Sequence, residues 1–204
     1  MKLITKLIIM AIIFQSCQSQ SRTDLAQLTW SEDLLVDLIP ESDRASFTSD
    51  KISPDTGIPI FYTKEVSNYK YENIKFEQTK FGNNSVGFYV YDALKKGEKN
   101  EIAGIKINIE KQNEDFFNLL KEKYGTPIIL SPIPTKVMDG VIYGNSGYLW
   151  KQDKISIVLS DFYKSRNNEQ YISTSIYIIK NDVVDLTSPE RTSLERLIQT
   201  HTKK

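Results

Sequence analysis

Two hydrophobic periods alternate along this chain, and the helical one is clearest from Asn113 to Pro127. Phe116, Phe117, Leu120 and Tyr124 share a stripe there, with Leu119 on its flank, the spacing that buries one face of a helix. Glu114 and Asp115 fall in the first turn and Lys121 and Lys123 in the last, each complementing the helix dipole. Gly125 suits the left-handed residue that ends a helix, and Pro127 blocks continuation. The spacing predicts an amphipathic helix over about 113–124, packed on a sheet built by its neighbours.

A second helical stripe is predicted from Asp24 to Ile39. Thr29-Trp30-Ser31-Glu32 has the form of a capping box, Trp30, Leu34, Leu35 and Leu38 line one face, and Pro40 ends it. Glu41 to Gly57 is polar and rich in turn residues and reads as an irregular arm. Ile58–Lys64 carries Pro59 and reads as a short edge strand. Ile74 and Phe76, then Val86, Phe88 and Val90, then Ile105, Ile107 and Ile109 recur with a period of two. They predict three antiparallel strands with one apolar and one polar face, the last two joined by a charged loop at Lys95–Asn100. Ile128–Pro134 reads as a packed connection, and Val141–Tyr143 with Tyr148–Trp150 as a hairpin around Gly144–Gly147. A strand through Ile155, Ile157 and Leu159, a polar loop over Lys164–Gln170 and a strand over Tyr171–Lys180 follow. Ser188-Pro189-Glu190 reads as the start of a helix carrying Leu194, Leu197 and Ile198, with His201–Lys204 as a frayed tail. The expected fold class is α+β: a mainly antiparallel sheet, one central helix on it, and short flanking helices towards each end.

The first residues obey neither period. Lys2 and Lys6 accompany an unbroken apolar run, Leu7–Phe14, which suits a secretory leader and falls short of the about 20 residues of a membrane span. The run stops at Gln15-Ser16-Cys17, and Cys17 is the only cysteine of the chain. A basic start, a short apolar core, a small residue and then cysteine resemble the signal of bacterial lipoproteins. The resemblance implies cleavage before Cys17, palmitate-type acylation of that residue, and a domain held at the membrane outside the cytoplasm. Acylation also explains a lone thiol in an oxidising compartment, and more than one acyl chain makes the attachment stable. Gln18 stands where an Asp would retain such a protein at the inner membrane, so the resemblance implies the outer membrane, facing periplasm or surface. The expected organisation is a leader at 1–16, a tether at 17–23 and a single domain at 24–200, of which 24–57 is helix plus arm. The helix ending Lys123-Tyr124-Gly125-Thr126-Pro127, followed by a Trp-bearing strand, resembles a feature of uncharacterised secreted proteins and implies no activity.

Charge then narrows the partners. The 204 residues carry 26 Lys+Arg against 26 Asp+Glu, a balance that gives no electrostatic case for nucleic acid, which needs a concentrated basic face. His201 is the only histidine, so a Ser-His-Asp or Cys-His site has no competent base and a zinc site has no His and Cys set. Gly140, Gly144 and Gly147 lack the Gly-Lys-Ser/Thr ending of a phosphate loop and read as turn residues. No cofactor, metal or catalytic residue is assigned. Asp139, Asp153, Asp161 and Glu169 lie near predicted strand ends, but no spacing pairs any two as a glycosidase requires. Tyr89 and Tyr91 fall opposite Phe88 and Val90, and with Trp150 they form the candidate binding patch, amphipathic enough for a protein or an envelope glycan. The sequence points to an envelope lipoprotein with a non-enzymatic binding or assembly role. The alternative is a carboxylate-dependent hydrolase of envelope polysaccharide.

Overall fold

The computed structural model describes residues 22–41, 48–80, 82–91, 98–110, 113–131, 136–138, 141–143, 145–166 and 169–202, which leaves Cys17 and the leader outside. In chain order the strands and helices begin with β1 (Thr23–Asp24), β2 (Thr48–Ile52), β3 (Pro59–Thr63), β4 (Tyr69–Tyr71) and β5 (Ile74–Lys75). Next come β6 (Ser85–Val90), β7 (Ile102–Glu110), helix α1 (Asn113–Tyr124) and β8 (Ile128–Ser131). The rest are β9 (Lys136–Met138), β10 (Val141–Tyr143), β11 (Asn145–Lys151), β12 (Ile155–Arg166), β13 (Glu169–Lys180) and helix α2 (Ser193–His201). The body is an eight-stranded antiparallel sheet in the order β2-β3-β6-β7-β13-β12-β11-β8. The fold is therefore mainly antiparallel β with a few helices, an α+β arrangement.

Helix α1 has the expected bounds. Phe116 and Leu120 are buried, Phe117, Leu119 and Tyr124 pack beside them, and Gly125 ends the helix at φ +82°. The helix covers the face that carries Val86, Phe88, Ile105, Ile107, Ile176 and Ile178. The opposite face, expected to be polar, holds a second core. There Ile58, Ile60, Tyr89, Tyr177 and Ile179 pack with Leu194 and Leu197 of α2. A sheet covered on both faces needs apolar residues at both parities, and the sequence supplies them around Tyr89 and Tyr177 as tyrosines, which alternation alone reads as surface.

Several segments depart from the expectation. The helix predicted over 24–39 is two short pieces, a 3-10 turn at Leu25–Gln27 and a single π-type turn at Leu34–Leu38. Tertiary bonds override its helical stripe. Asp24 accepts from the Glu72 amide at 2.9 Å and pairs with Lys70, holding β1 parallel to β4, and Trp30 breaks the run at φ +70°. Asp33 caps the second piece, accepting from Leu35 and Val36, and also accepts from the Asn100 amide at 2.7 Å. The arm expected at 41–57 contains β2, the true edge of the sheet. β3 is thus second in order, with Pro59 at its first residue, where a missing N–H is tolerated. Ile74 belongs to a small separate sheet, β1-β4-β5, rather than to the body.

The C-terminal half differs too. The connection expected at 128–134 starts with β8, an edge strand whose Ile128 and Ile129 are exposed. The hairpin lies one step earlier than expected: β9 pairs with β10, while Asn145–Lys151 is a strand of the body. β12 and β13 stay paired from Ile155↔Lys180 to Arg166↔Glu169, so residues 164–166 and 169–170 of the expected loop are strand, and 167–168 lie outside the described residues. Polar side chains do not prevent this, because the ladder is made by backbone groups. Helix α2 starts after Thr192, which forms a capping box with Glu195, whereas Ser188-Pro189-Glu190 lies in the preceding turn. His201, expected in a frayed tail, is buried at the end of α2.

Candidate binding cleft

Of the three aromatic residues named from the sequence, the structure leaves only Tyr91 at the surface. Tyr89 is fully buried in the second core, where burial pushes its hydroxyl well above the usual tyrosine range. Trp150 lies under α1, edge-on to Phe117, and donates to the Gly125 carbonyl at 2.8 Å, so it serves the helix terminus rather than a ligand. The three do not form one exposed patch.

Tyr91 instead faces a cleft of about 500 Å³ that it lines with Trp30, Ile155, Lys180, Asp153 and Asp182. Trp30 is held left-handed from both sides. The Thr29 amide and hydroxyl both donate to Glu32 Oε1, at 2.7 and 2.9 Å, and Lys180 Nζ donates to the Trp30 carbonyl at 3.1 Å. A bulky residue at positive φ costs about 1–3 kcal/mol and persists where its surroundings hold it. The same Lys180 ammonium lies 5.2 Å from the centre of the Tyr91 ring, so one cation ties the two aromatic walls together. Across the cleft, the turn between β11 and β12 is braced by Asn181. Its amide donates to the carbonyls of Gln152 and Asp153, at 2.8 and 3.1 Å, and its oxygen accepts from Ser156 at 2.7 Å. The lining is therefore braced by these bonds and mixes aromatic and apolar side chains with charged ones.

A second, polar groove of about 570 Å³ lies on the α2 side of the sheet, over Asn108, Ser173 and Ser175. Asp55 Oδ2 there accepts from Lys106 and from the Tyr177 hydroxyl, both at 2.9 Å, and Lys106 lies 4.7 Å over the Tyr177 ring. Burial pushes the Asp55 carboxyl up, but the Lys106 ammonium and the hydrogen bonds outweigh it and hold it below the ordinary value. Behind Phe162 and Tyr177 sits His201, buried with neither ring nitrogen hydrogen-bonded. Burial lowers its pKa, opposed by the charge of Asp55 and assisted by that of Lys106. A folded pKa below the unfolded value of 6.5 means that the unfolded chain binds the extra proton. Stability is then full above about pH 6.5 and falls as pH drops through it. His201→Phe keeps an aromatic ring and removes two unsatisfied polar atoms. It is expected to raise stability by about 1–2 kcal/mol and flatten the stability profile between pH 7 and 5, as read by urea unfolding at each pH.

The candidate carboxylates are scattered. Asp153 lines the cleft, while Asp161 lies within β12, accepting from Thr174 at 2.6 Å and Ser146 at 3.2 Å. Asp139 and the Glu169 side chain lie outside the described residues. A wider groove of about 680 Å³ beside α1 carries Glu77, Glu110, Asp115 and Glu122, but both Glu110 oxygens are occupied by Thr79 and Asn83. Among the described residues no group of three or more His, Cys, Asp or Glu side chains is placed to hold a metal, and no helix is long and apolar enough to cross a membrane. Comparison with protein-family models, with curated proteins and with solved structures finds no match to the chain.

Sequence reasoning named Tyr91 and did not connect it with the residues that line the cleft beside it. Trp30 reads as a packing anchor and does pack, partly buried, against the main core; its place in the cleft and its positive φ come in addition. Lys180 and Asp182 lie 150 or more residues from Trp30, beyond any local pattern.

Proposed function

We propose that this chain is a lipid-anchored envelope lipoprotein whose α+β domain has a non-enzymatic binding role, with the Trp30–Tyr91 cleft as its contact. The observation that carries the reading is the strained Trp30, clamped by Glu32 and Lys180 so that it lines a cleft opposite a fixed turn. The anchor rests on the resemblance at Cys17. Labelled palmitate is expected in the wild-type chain and absent from Cys17→Ala, as checked by in-gel autoradiography of membrane fractions. A photo-crosslinking amino acid at position 91 is expected to capture a partner in cells. The same group at exposed Glu114 on α1 is the control. Equal capture at both positions counts against the cleft.

A hydrolase of envelope polysaccharide is the second reading, favoured by the presence of both Asp153 and Asp182 in the lining of one cleft. Both are exposed, unlike the dry carboxyl that a proton donor needs. Loss of glycan turnover in Asp182→Asn with binding retained would establish it over the first.

A further inference from the structure

We infer that the occupant of the Trp30–Tyr91 cleft is the ring of an uncharged pyranose sugar, presented as one unit of an envelope glycan. The inference rests on the binding reading above and names its ligand class. Size comes first. A concavity of about 500 Å³ falls within the range of about 300–1,000 Å³ seen for small-ligand sites, whereas a protein partner needs a broad face of about 800 Å².

Wall chemistry comes next. Trp30, Tyr91 and Ile155 offer apolar surface to the cleft, and the exposed Asp153 and Asp182 offer hydrogen-bond acceptors. A pyranose has that division in one molecule, with C–H groups on its faces and hydroxyls around its edge. An acyl chain would leave these carboxylates facing hydrocarbon without partners.

Charge then decides between flat, polar-edged ligands. Lys154 and Lys180 balance Asp153 and Asp182 around the cleft. The Lys180 ammonium is already directed to the Trp30 carbonyl and the Tyr91 ring, and Lys154 stands with two carboxylates in the same lining, so the cleft offers no net positive charge to the phosphates of a nucleotide. The exposed carboxylates accept hydrogen bonds from hydroxyls, which an uncharged sugar donates.

The test uses tryptophan fluorescence of the acylated full chain in detergent. Trp30 lines the cleft, whereas Trp150 is buried elsewhere and acts as a constant background. The probes are neutral tri- and tetrasaccharides of glucose, galactose, mannose and N-acetylglucosamine. The expected result is a saturable change with at least one of them at a Kd of about 1 mM or tighter. Glycine accepts φ +70° at position 30 without strain, but Trp30→Gly also withdraws a partly buried ring from the main core and removes the reporter. This variant is therefore first checked for its fold by circular dichroism, and its sugar binding, expected to be lost, is read by isothermal titration calorimetry. Tyr91→Ala and the Asp153→Asn, Asp182→Asn double variant are each expected to weaken binding at least about tenfold, equivalent to one decade in Kd.

A folded wild-type protein that responds to none of these sugars overturns the inference, as does binding unchanged in Trp30→Gly. The two readings fail separately. If crosslinking at position 91 captures a protein and no sugar binds, the cleft remains a binding site and the sugar is wrong. If neither occurs, the binding reading falls with it.

Discussion

Gly57→Ala is expected to lower the thermal unfolding midpoint by about 10 °C, from a loss of about 4 kcal/mol in a domain of this size. Gly57 closes the turn between β2 and β3 at φ +74°, a region that side chains rarely adopt. Its amide donates to the Ser53 carbonyl at 2.8 Å and its carbonyl accepts from Leu186 at 3.0 Å, so the turn is fixed at both ends. An added Cβ would lie 1.8 Å from Asp185 Oδ1, far inside contact distance. The turn cannot yield without releasing Leu186, and Asp185 cannot yield without releasing its own partners. Differential scanning calorimetry of the two proteins checks this, and a shift of under about 3 °C would show that the turn relaxes around the methyl group.

Those partners define the second large effect. Asp185 is fully buried, and accepts from the Thr187 amide at 2.9 Å, from Arg191 Nε at 2.8 Å and from Arg196 Nη1 at 3.0 Å. Arg196 Nε in turn donates to the Pro54 carbonyl at 2.8 Å, so the cluster joins α2 to the β2–β3 turn. Burial alone would push the carboxyl up. The hydrogen bonds from Thr187, Arg191 and Arg196 outweigh it and hold it well below the usual carboxylate value of 3.8. A depressed folded value means that the stabilisation is present above about pH 3.8 and is lost as pH falls below it. Asp185→Asn leaves two guanidinium groups without their anion and is expected to cost about 3 kcal/mol at pH 7. The gap from wild type narrows at pH 3, because the carboxylate of the unfolded chain, with its ordinary value of 3.8, takes up a proton there while the folded one stays ionised. Urea titrations at the two pH values measure both quantities, and a gap that is constant with pH would exclude the ionised carboxylate as the cause. Gly57 and Asp185 touch, so the double variant should cost less than the two single changes together.

Neither residue is conspicuous before folding. What the sequence shows well is whatever a single element decides for itself: the α1 stripe with its dipole charges and terminal glycine, the alternation in β6 and β7, and the apolar run of β13. It shows poorly whatever depends on a distant partner. The N-terminal stripe with Trp30 satisfies every local rule for a helix, yet Asp24, Asp33 and Lys180 make bonds elsewhere that a helix would forbid. Tyr89 follows the surface parity of its strand, and only the packing of α2 on that side makes the position internal. The cleft was half legible for the same reason. Tyr91 could be named from alternation, whereas Trp30 and Lys180 meet only once the ends of the chain are brought together. His201 near the C-terminus reads as tail until Phe162 and Tyr177 enclose it.

The place of β13 has a consequence for the order of events during synthesis. It comes almost last in the chain yet occupies the middle of the sheet, between β7 and β12. Its pairing with β7 joins residues such as Ser175 and Asn108, 67 positions apart, so the N-terminal strands have no central neighbour until nearly the whole chain has emerged. Non-local pairings of this kind form late and slowly, because the loop must close before any contact rewards it. A chain built this way can complete its eight-stranded sheet only after β13 has emerged.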